Sequence, residues 1–317
     1  MMRLTVFTPT YNRAHTLGRI YNSLCRQTCK DFEWLVIDDG STDNTRSLIE
    51  GFIKENKMTI RYMHKENGGL YTGYNTAYAN IESELNVCID SDDYMPENAV
   101  ELIIKTWKER GEEKYAGIIG LDFYADSNRP IAGYFPENLE ECYLLDLYIK
   151  GIHCGDSKQI MRTDLMKEVA PQIGFEGEKN YNPVYMLLQV CDEKPSLILN
   201  ENLCFVEYQQ GDSMSASIFQ QYIDSPRSFA KLRLLEMGLK RSTFKNNVRL
   251  MVHYIASSLI AKDKDWLKNT SYKLLAFATF VPGYLLYVYI LYKSMYAVKT
   301  NTLLQKNAHW NGRMKNM

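Results

Sequence analysis

Over its first 120 residues the chain alternates short apolar runs with helix-length segments, and this rhythm limits the possible folds more than any other feature. LTVFTPT (4–10), FEWLVIDD (32–39), TIRYMHK (59–65), ELNVCID (84–90) and YAGIIGLDF (115–123) read as strands. Between them AHTLGRIYNSLCRQ (14–27), TDNTRSLIEGFIKEN (42–56), GYNTAYANI (73–81) and AVELIIKTWKERG (99–111) read as helices. Strands joined through helices imply a Rossmann-like α/β architecture, a mainly parallel sheet flanked by helices on both faces. Ligands of such sheets sit at the carboxyl ends of the strands. Here those ends are TPTYNR, DDGSTDN, KENGG and DSDD. So many carboxylates and amides in one crevice are costly unless a polar ligand or a metal completes them.

Beyond residue 122 the rhythm weakens. DFYADSNRPIAGYF and ECYLLDLYIKGIHCG read as hairpin or loop plus helix, PVYMLLQVCDE as a helix, and SLILN and LCFVEY as two short strands extending the same sheet. Residues 226–270 carry apolar positions near a 3.6 spacing and read as helices. The expected organisation is a catalytic domain over 1–225, with a nucleotide-binding half at 1–93 and an acceptor half at 94–225. A C-terminal helical extension follows over 226–317.

Charge divides the same way. Residues 226–317 hold 16 Lys and Arg against 3 Asp and Glu, whereas residues 1–225 hold 21 against 35. A basic tail region on an acidic body points to an anionic neighbour, lipid or nucleic acid. LLAFATFVPGYLLYVYILY (274–292) runs 19 residues without a charge, between Lys273 and Lys293. That length could span a bilayer, but Pro282-Gly283 interrupts it and its tyrosines recur throughout rather than gathering at the ends. Both features favour helices lying in a membrane interface; a buried core helix or a contact between two copies of the chain is the other reading. The seven cysteines lack a redox or zinc spacing, and MMRLTVFTPTYNR is no signal peptide. A reducing, cytoplasmic setting is expected, peripheral on the inner face of the membrane.

DSDD (90–93) ends the fourth strand. Side chains at i and i+2 of a strand share one face, so Asp90 and Asp92 form a hard oxygen site suited to Mg2+ or Mn2+ on a diphosphate. Asp93 then points away and serves the turn or the next helix. His64 and His153 lack a metal-ligand pattern and read as structural.

Taken together in this order, TPTYNR (8–13), FEWLVIDDGSTDNT (32–45), GGLYTGYN (68–75) and DSDD resemble family 2 glycosyltransferases of GT-A fold, over residues 4 to about 208. The resemblance implies inverting transfer of a sugar from a nucleoside diphosphate donor, a UDP-sugar, with a divalent metal. It places Pro9 and Tyr11 against the base, Asp39 and secondarily Asp38 on base or ribose, and Arg13 near the phosphates. Lys65, Gly69 and Asn75 lie along the donor. Asp92 becomes the direct metal ligand, and Asp90 meets ribose or metal-bound water. The family's catalytic Glu-Asp pair aligns with GFEGEKNY (174–181), where Lys179 stands at the Asp position. The general base is then Glu178 or, with a shift, Glu176, and Asp156 is an outside candidate. The implied acceptor is a glycan or a lipid-linked sugar in surface polysaccharide synthesis. A nucleotidyltransferase would carry a basic Gly-rich loop after the first strand, which TPTYNRAHT lacks. A non-catalytic module, even one binding nucleic acid through the basic tail, leaves the acidic crevice unexplained, since acids repel a phosphate backbone.

Overall fold

The computed structural model describes residues 2–207 and 218–295. The chain divides into two compact units. The first takes residues 1–174, 181–209 and 239–243; the second takes 175–180, 210–238 and 244–317. The short segment around Glu178 belongs with the second unit.

The first unit is built on one eight-stranded sheet of order β3-β2-β1-β4-β7-β5-β8-β6. Its strands are β1 (Leu4–Thr10), β2 (Phe32–Asp38), β3 (Ile60–His64), β4 (Leu85–Cys88), β5 (Gly117–Tyr124), β6 (Glu141–Cys142), β7 (Ser157–Arg162) and β8 (Ser196–Val206). The first four are mutually parallel, with β1 between β2 and β4. Every residue of β1 is buried, as a strand covered on both faces requires. Two of its three buried threonines are bonded by neighbours: Thr8 Oγ1 accepts Trp34 Nε1 at 3.0 Å, and Thr5 Oγ1 bonds Glu33 Oε1 at 2.9 Å. Helix α1 (Leu17–Cys25) buries Leu17, Ile20, Tyr21 and Leu24, one stripe at helical spacing. Its Tyr21 ring stacks on Phe52 of α2 (Thr45–Glu55) at 3.8 Å between centroids. Helices α3 (Leu70–Asn80) and α4 (Ala99–Arg110) complete the alternating half.

Residues 117–206 continue the same sheet, and one element differs from the sequence reading. SKQIMR forms β7, which runs antiparallel between β4 and β5 and so lies in mid-sheet. The two short strands are a single strand, β8, parallel to β5, with register shifts opposite Ile119–Asp122. These shifts let one eleven-residue strand bend where two pieces were expected. Four strand pairings are parallel and three antiparallel. Short helices α5 (Leu144–Ile149), α6 (Thr163–Val169) and α7 (Val184–Glu193) cover this half.

The second unit contains α8 (Ile218–Asp224), α9 (Pro226–Gly238), α10 (Phe244–Ile260), α11 (Trp266–Asn269), α12 (Lys273–Ala278) and a helix over 280–295. Leu250, Met251, Tyr254 and Ile255 of α10 pack with Met237 and Ala276. A smaller cluster joins Tyr222, Ala256 and Ile290. Gly283 lies so close to α10 that a Cβ there would stand 2.7 Å from the Ile255 side chain. Among the described residues no helix is long and apolar enough to cross a membrane.

Candidate functional site

Because β3, β2, β1 and β4 are parallel neighbours, their carboxyl ends open on one edge of the sheet. Two asparagine and aspartate devices shape that edge. Asn12, at φ 53°, lies in the left-handed region that asparagine tolerates best among non-glycine residues. Its Oδ1 accepts the Thr42 and Asp43 amides at 2.8 and 3.3 Å, stitching the loop after β1 to the loop after β2. Asp38, fully buried, accepts the Ser41 amide at 2.8 Å and the Tyr62 hydroxyl at 2.5 Å. Burial and that carboxylate together push the Tyr62 phenol up.

Asp39 ends the same strand on a different set of partners. Its carboxylate accepts the Gly68 and Gly69 amides at 3.0 and 2.8 Å and is ion-paired with Lys65. Lys65 also donates to Thr72 Oγ1 at 2.8 Å. Gly69 at φ 92° occupies a conformation that side chains resist, and so turns the loop into α3. Gly40 does the same after β2, where a Cβ would meet the Asn67 amide at 2.9 Å. The sequence-predicted Asp38, Asp39, Lys65 and Gly69 are thus brought together as one braced wall. Pro9 is buried in β1, with its ring against Gly73, while Tyr11 just beyond it is exposed. Arg13 is half-buried in the following turn. Asn75 is spent elsewhere: its side chain and the Gln172 backbone exchange two hydrogen bonds, at 2.8 and 2.9 Å, fastening α3 to the loop at 170–174.

Asp90 and Asp92 do not sit on a strand. β4 stops at Cys88, and the Asp93 amide closes a turn on the Asp90 carbonyl at 3.0 Å. The alternation argument for a shared face therefore does not apply, and the turn governs where the two carboxylates go. Asp90 is exposed, Asp92 is half-buried, and the Asp92 carbonyl accepts Arg19 Nη2 at 3.1 Å. Crowding by protein atoms raises the Asp90 pKa, with Asp92 adding to the rise and Lys158 opposing it. Asp93 differs from its expected role. It turns inward, where Oδ1 accepts the Glu207 amide at 3.4 Å and Oδ2 lies 3.9 Å from Cys204 Sγ.

Behind the turn stands a group that the sequence did not single out. Lys158 of β7 is largely covered, with 11% of its side chain exposed, and lies 3.6 Å from Asp122 of β5, with Asp90 and Asp93 also acting on it. Burial works to lower the lysine's pKa, and the acids, Asp122 foremost, outweigh it and drive it well up. Burial pushes Asp93 to about 8 and Asp122 to about 6 despite the lysine. Asp122 Oδ1 is buried without a hydrogen-bond partner. The only local signal was an Asp closing the apolar run YAGIIGLDF; nothing in SKQIMR shows which way its lysine turns.

Among the described residues, no three Asp, Glu, His or Cys side chains converge as a ready-made metal cage. Two neighbouring carboxylates, one exposed and one half-buried, fit a different kind of site: one in which Mg2+ or Mn2+ takes its remaining oxygens from a diphosphate and water.

Glu178 lies in the helical unit and is nearly fully covered. Its Oε1 accepts Arg227 N and Nε at 3.1 and 2.9 Å; its Oε2 accepts Ser228 N and Oγ at 2.8 and 2.7 Å. These amides are the otherwise orphaned donors at the start of α9, so the carboxylate caps that helix and meets its positive end. Glu176 lies two residues earlier with its side chain exposed and its carbonyl bonded to Arg227. Asp156 interacts electrostatically with Asp90 and Asp122 in the first unit. His153 is buried and His64 exposed at the end of β3.

Comparison with known proteins agrees with this geometry. The family profile described as Glycosyl transferase family 2 matches residues 5–168. Glycosyltransferase GlyG of Streptococcus pneumoniae serotype 4 is 25% identical over 228 residues, 67% of this chain and 72% of that protein. TarS of Staphylococcus aureus, a poly(ribitol-phosphate) beta-N-acetylglucosaminyltransferase, is 28% identical over 171 residues, 53% of this chain and 29% of that protein. A TarS structure holding UDP-GlcNAc superposes with a TM-score of 0.57 at 19% identity, over 85% of this chain and 77% of that one. The mannosyltransferase PcManGT of Pyrobaculum calidifontis, bound to GDP-Man and Mn2+, gives 0.54 at 14% identity, covering 90% and 87%. At such identities the superpositions speak for the fold, which is GT-A.

Proposed function

We propose, since the chain belongs to glycosyl transferase family 2, that it is an inverting, metal-assisted enzyme moving a sugar from a UDP-sugar onto a glycan or lipid-linked acceptor. The reaction serves surface polysaccharide synthesis at the cytoplasmic face of the cell membrane. The observation that carries this reading is the polar edge of the sheet. Four parallel strands end there in a braced wall, Asp38, Asp39, Lys65 and Gly69, next to the outward carboxylates of Asp90 and Asp92.

In this reading Tyr11 offers its exposed ring to the uracil, above buried Pro9. Asp39 and Asp38 accept from base or ribose, for which Asp39 exchanges some of its present loop donors. Arg13 faces the phosphates. Asp92 and Asp90 hold a divalent cation, which when bound neutralises charge on the departing nucleoside diphosphate. Lys158 keeps the inner acids compensated from behind, so the turn can present two carboxylates outward without a third unpaired charge below.

Inversion also needs a proton acceptor at the acceptor hydroxyl. Glu178 and Glu176 are the two candidates. Both oxygens of Glu178 are already occupied by α9 donors, so it can take a proton only if that cap is released. Glu176 is the open carboxylate of the pair.

A panel of nucleotide-sugars incubated with Mn2+ or Mg2+, with release of the nucleoside diphosphate followed, tests the reading. Turnover of at least one UDP-sugar is expected. The absence of both hydrolysis and binding for every donor tested would overturn it.

A further inference from the structure

The helical unit carries a surface that the transferase reading does not use. Along 273–295 one face is pinned to the unit's interior: Ala276, Thr279, Gly283, Ile290 and Ser294 are buried, and Gly283 lies against Ile255. The opposite face is uncovered and apolar. Leu274 is 87% exposed, Phe277 and Val281 each 66%, Leu285 62% and Met295 63%. Leu274 and Phe277 lie about one turn apart on α12, and Val281, Leu285 and Met295 share one side of the helix that follows. No Asp, Glu, Lys or Arg occurs from 274 to 292. A helix face washed by water ordinarily carries charges, and a large contiguous apolar patch marks a contact.

We propose that this face docks the protein on a bilayer surface rich in anionic lipid, with 273–295 lying in the plane of the interface. Three observations select that occupant. The helix cannot cross a membrane while its other face is packed on α10, and no described helix is long and apolar enough to do so. The charge-free stretch is bracketed by Lys273 and Lys293, within a region of 16 basic against 3 acidic residues, which complements an anionic leaflet. Aromatic side chains run along it, Phe280 stacking on Trp266 at 6.0 Å and on Tyr284 at 6.4 Å, as headgroup-depth segments favour.

The inference rests on the membrane-side acceptor proposed above for its purpose, and its test is separable from turnover. The full chain is mixed with vesicles of phosphatidylcholine, with or without phosphatidylglycerol, and floated on a gradient. Recovery with phosphatidylglycerol vesicles is expected, weakened by salt, with little on phosphatidylcholine alone. Phe277→Glu with Leu285→Glu is expected to lower vesicle affinity by at least roughly tenfold, since each change puts a charge into the apolar layer. Because both side chains are exposed, helix content should not change. Should the double variant misfold, Phe277→Trp gives a second readout: its emission should shift blue on vesicle addition and be quenched by brominated acyl chains. Equal flotation of wild type and double variant, no quenching of the tryptophan, or a wild-type dimer in light scattering that the double variant abolishes, would each overturn the proposal. The last outcome would assign the face to a second copy. Turnover on a soluble acceptor without vesicle binding would remove the docking and leave the transferase intact.

Discussion

The sheet unit buries charge and the helical unit exposes apolar surface. In the first, Asp38, Asp39, Asp93, Asp122 and Lys158 lie under cover at or beside the strand ends. In the second, Leu274, Phe277, Val281 and Leu285 face outward. Each arrangement reverses the ordinary distribution of polarity, and each is costly without a partner. The reversal has a different cause in each case. Buried acids need compensation from one direction only, so they select a ligand by geometry. An exposed apolar stripe selects by area and by the charge around it.

The comparison breaks most visibly at Lys158. Lys158→Met should remove the compensating cation from Asp122, Asp93 and Asp90 and destabilise the sheet unit by about 3–5 kcal/mol, the usual cost of stripping one partner from a buried pair. Urea unfolding followed by circular dichroism measures it. A loss under about 1 kcal/mol would mean that the acids are neutral in the folded protein and need no partner.

Asp92 tests the outward side of the same turn. Asp92→Asn should lower transfer roughly 10²–10³-fold, the scale for removing one preorganised electrostatic contact to a transition state. The unfolding midpoint should barely change, because Asp92 is only half-buried. A variant that loses stability and keeps its rate would move Asp92 from the site into the scaffold.

Glu178 and Glu176 separate capping from catalysis. Glu178→Gln replaces an acceptor by an N–H2 facing the Ser228 or Arg227 donors, so α9 should lose about 1–2 kcal/mol. Glu176→Gln should leave the melting temperature alone and depress kcat with little change in donor affinity. If Glu176→Gln retains full kcat, the proton acceptor is Glu178 and its release from α9 becomes part of the cycle.

The alternating half was legible because its signals are local. β1 to β4 each carry their own apolar run, and DDGSTDN and KENGG carry their own turn chemistry. What could not be read depends on distant partners. Lys158 finds Asp122 across 36 residues and a sheet neighbour, a pairing that no local pattern in SKQIMR records. Glu178 meets its donors 49 and 50 residues away. At DSDD the expected strand face gives way to a turn, closed by the Asp93 amide on the Asp90 carbonyl once β4 has ended at Cys88.

The pH response separates the two units most cleanly, since acid should act on them in opposite directions. His253 accepts or donates a 3.0 Å bond with Tyr222, and burial, then Arg233 and Arg249, hold its pKa down to about 4 from 6.5. Between those values the unfolded chain binds a proton that the folded one refuses, so the helical unit loses stability as pH falls from about 6.5 towards 4. Asp93 and Asp122 are raised instead, to about 8 and about 6 from 3.8. There the folded state holds the proton, so the metal-free sheet unit loses stability as pH rises through those values. Unfolding followed separately in the two units, by hydrogen exchange across pH 5 to 8, should show the helical amides opening first at the acid end and the β5–β7 amides at the alkaline end. His253→Gln should flatten the acid-side response and leave the alkaline one untouched; a parallel shift in both units would show that they unfold as one body.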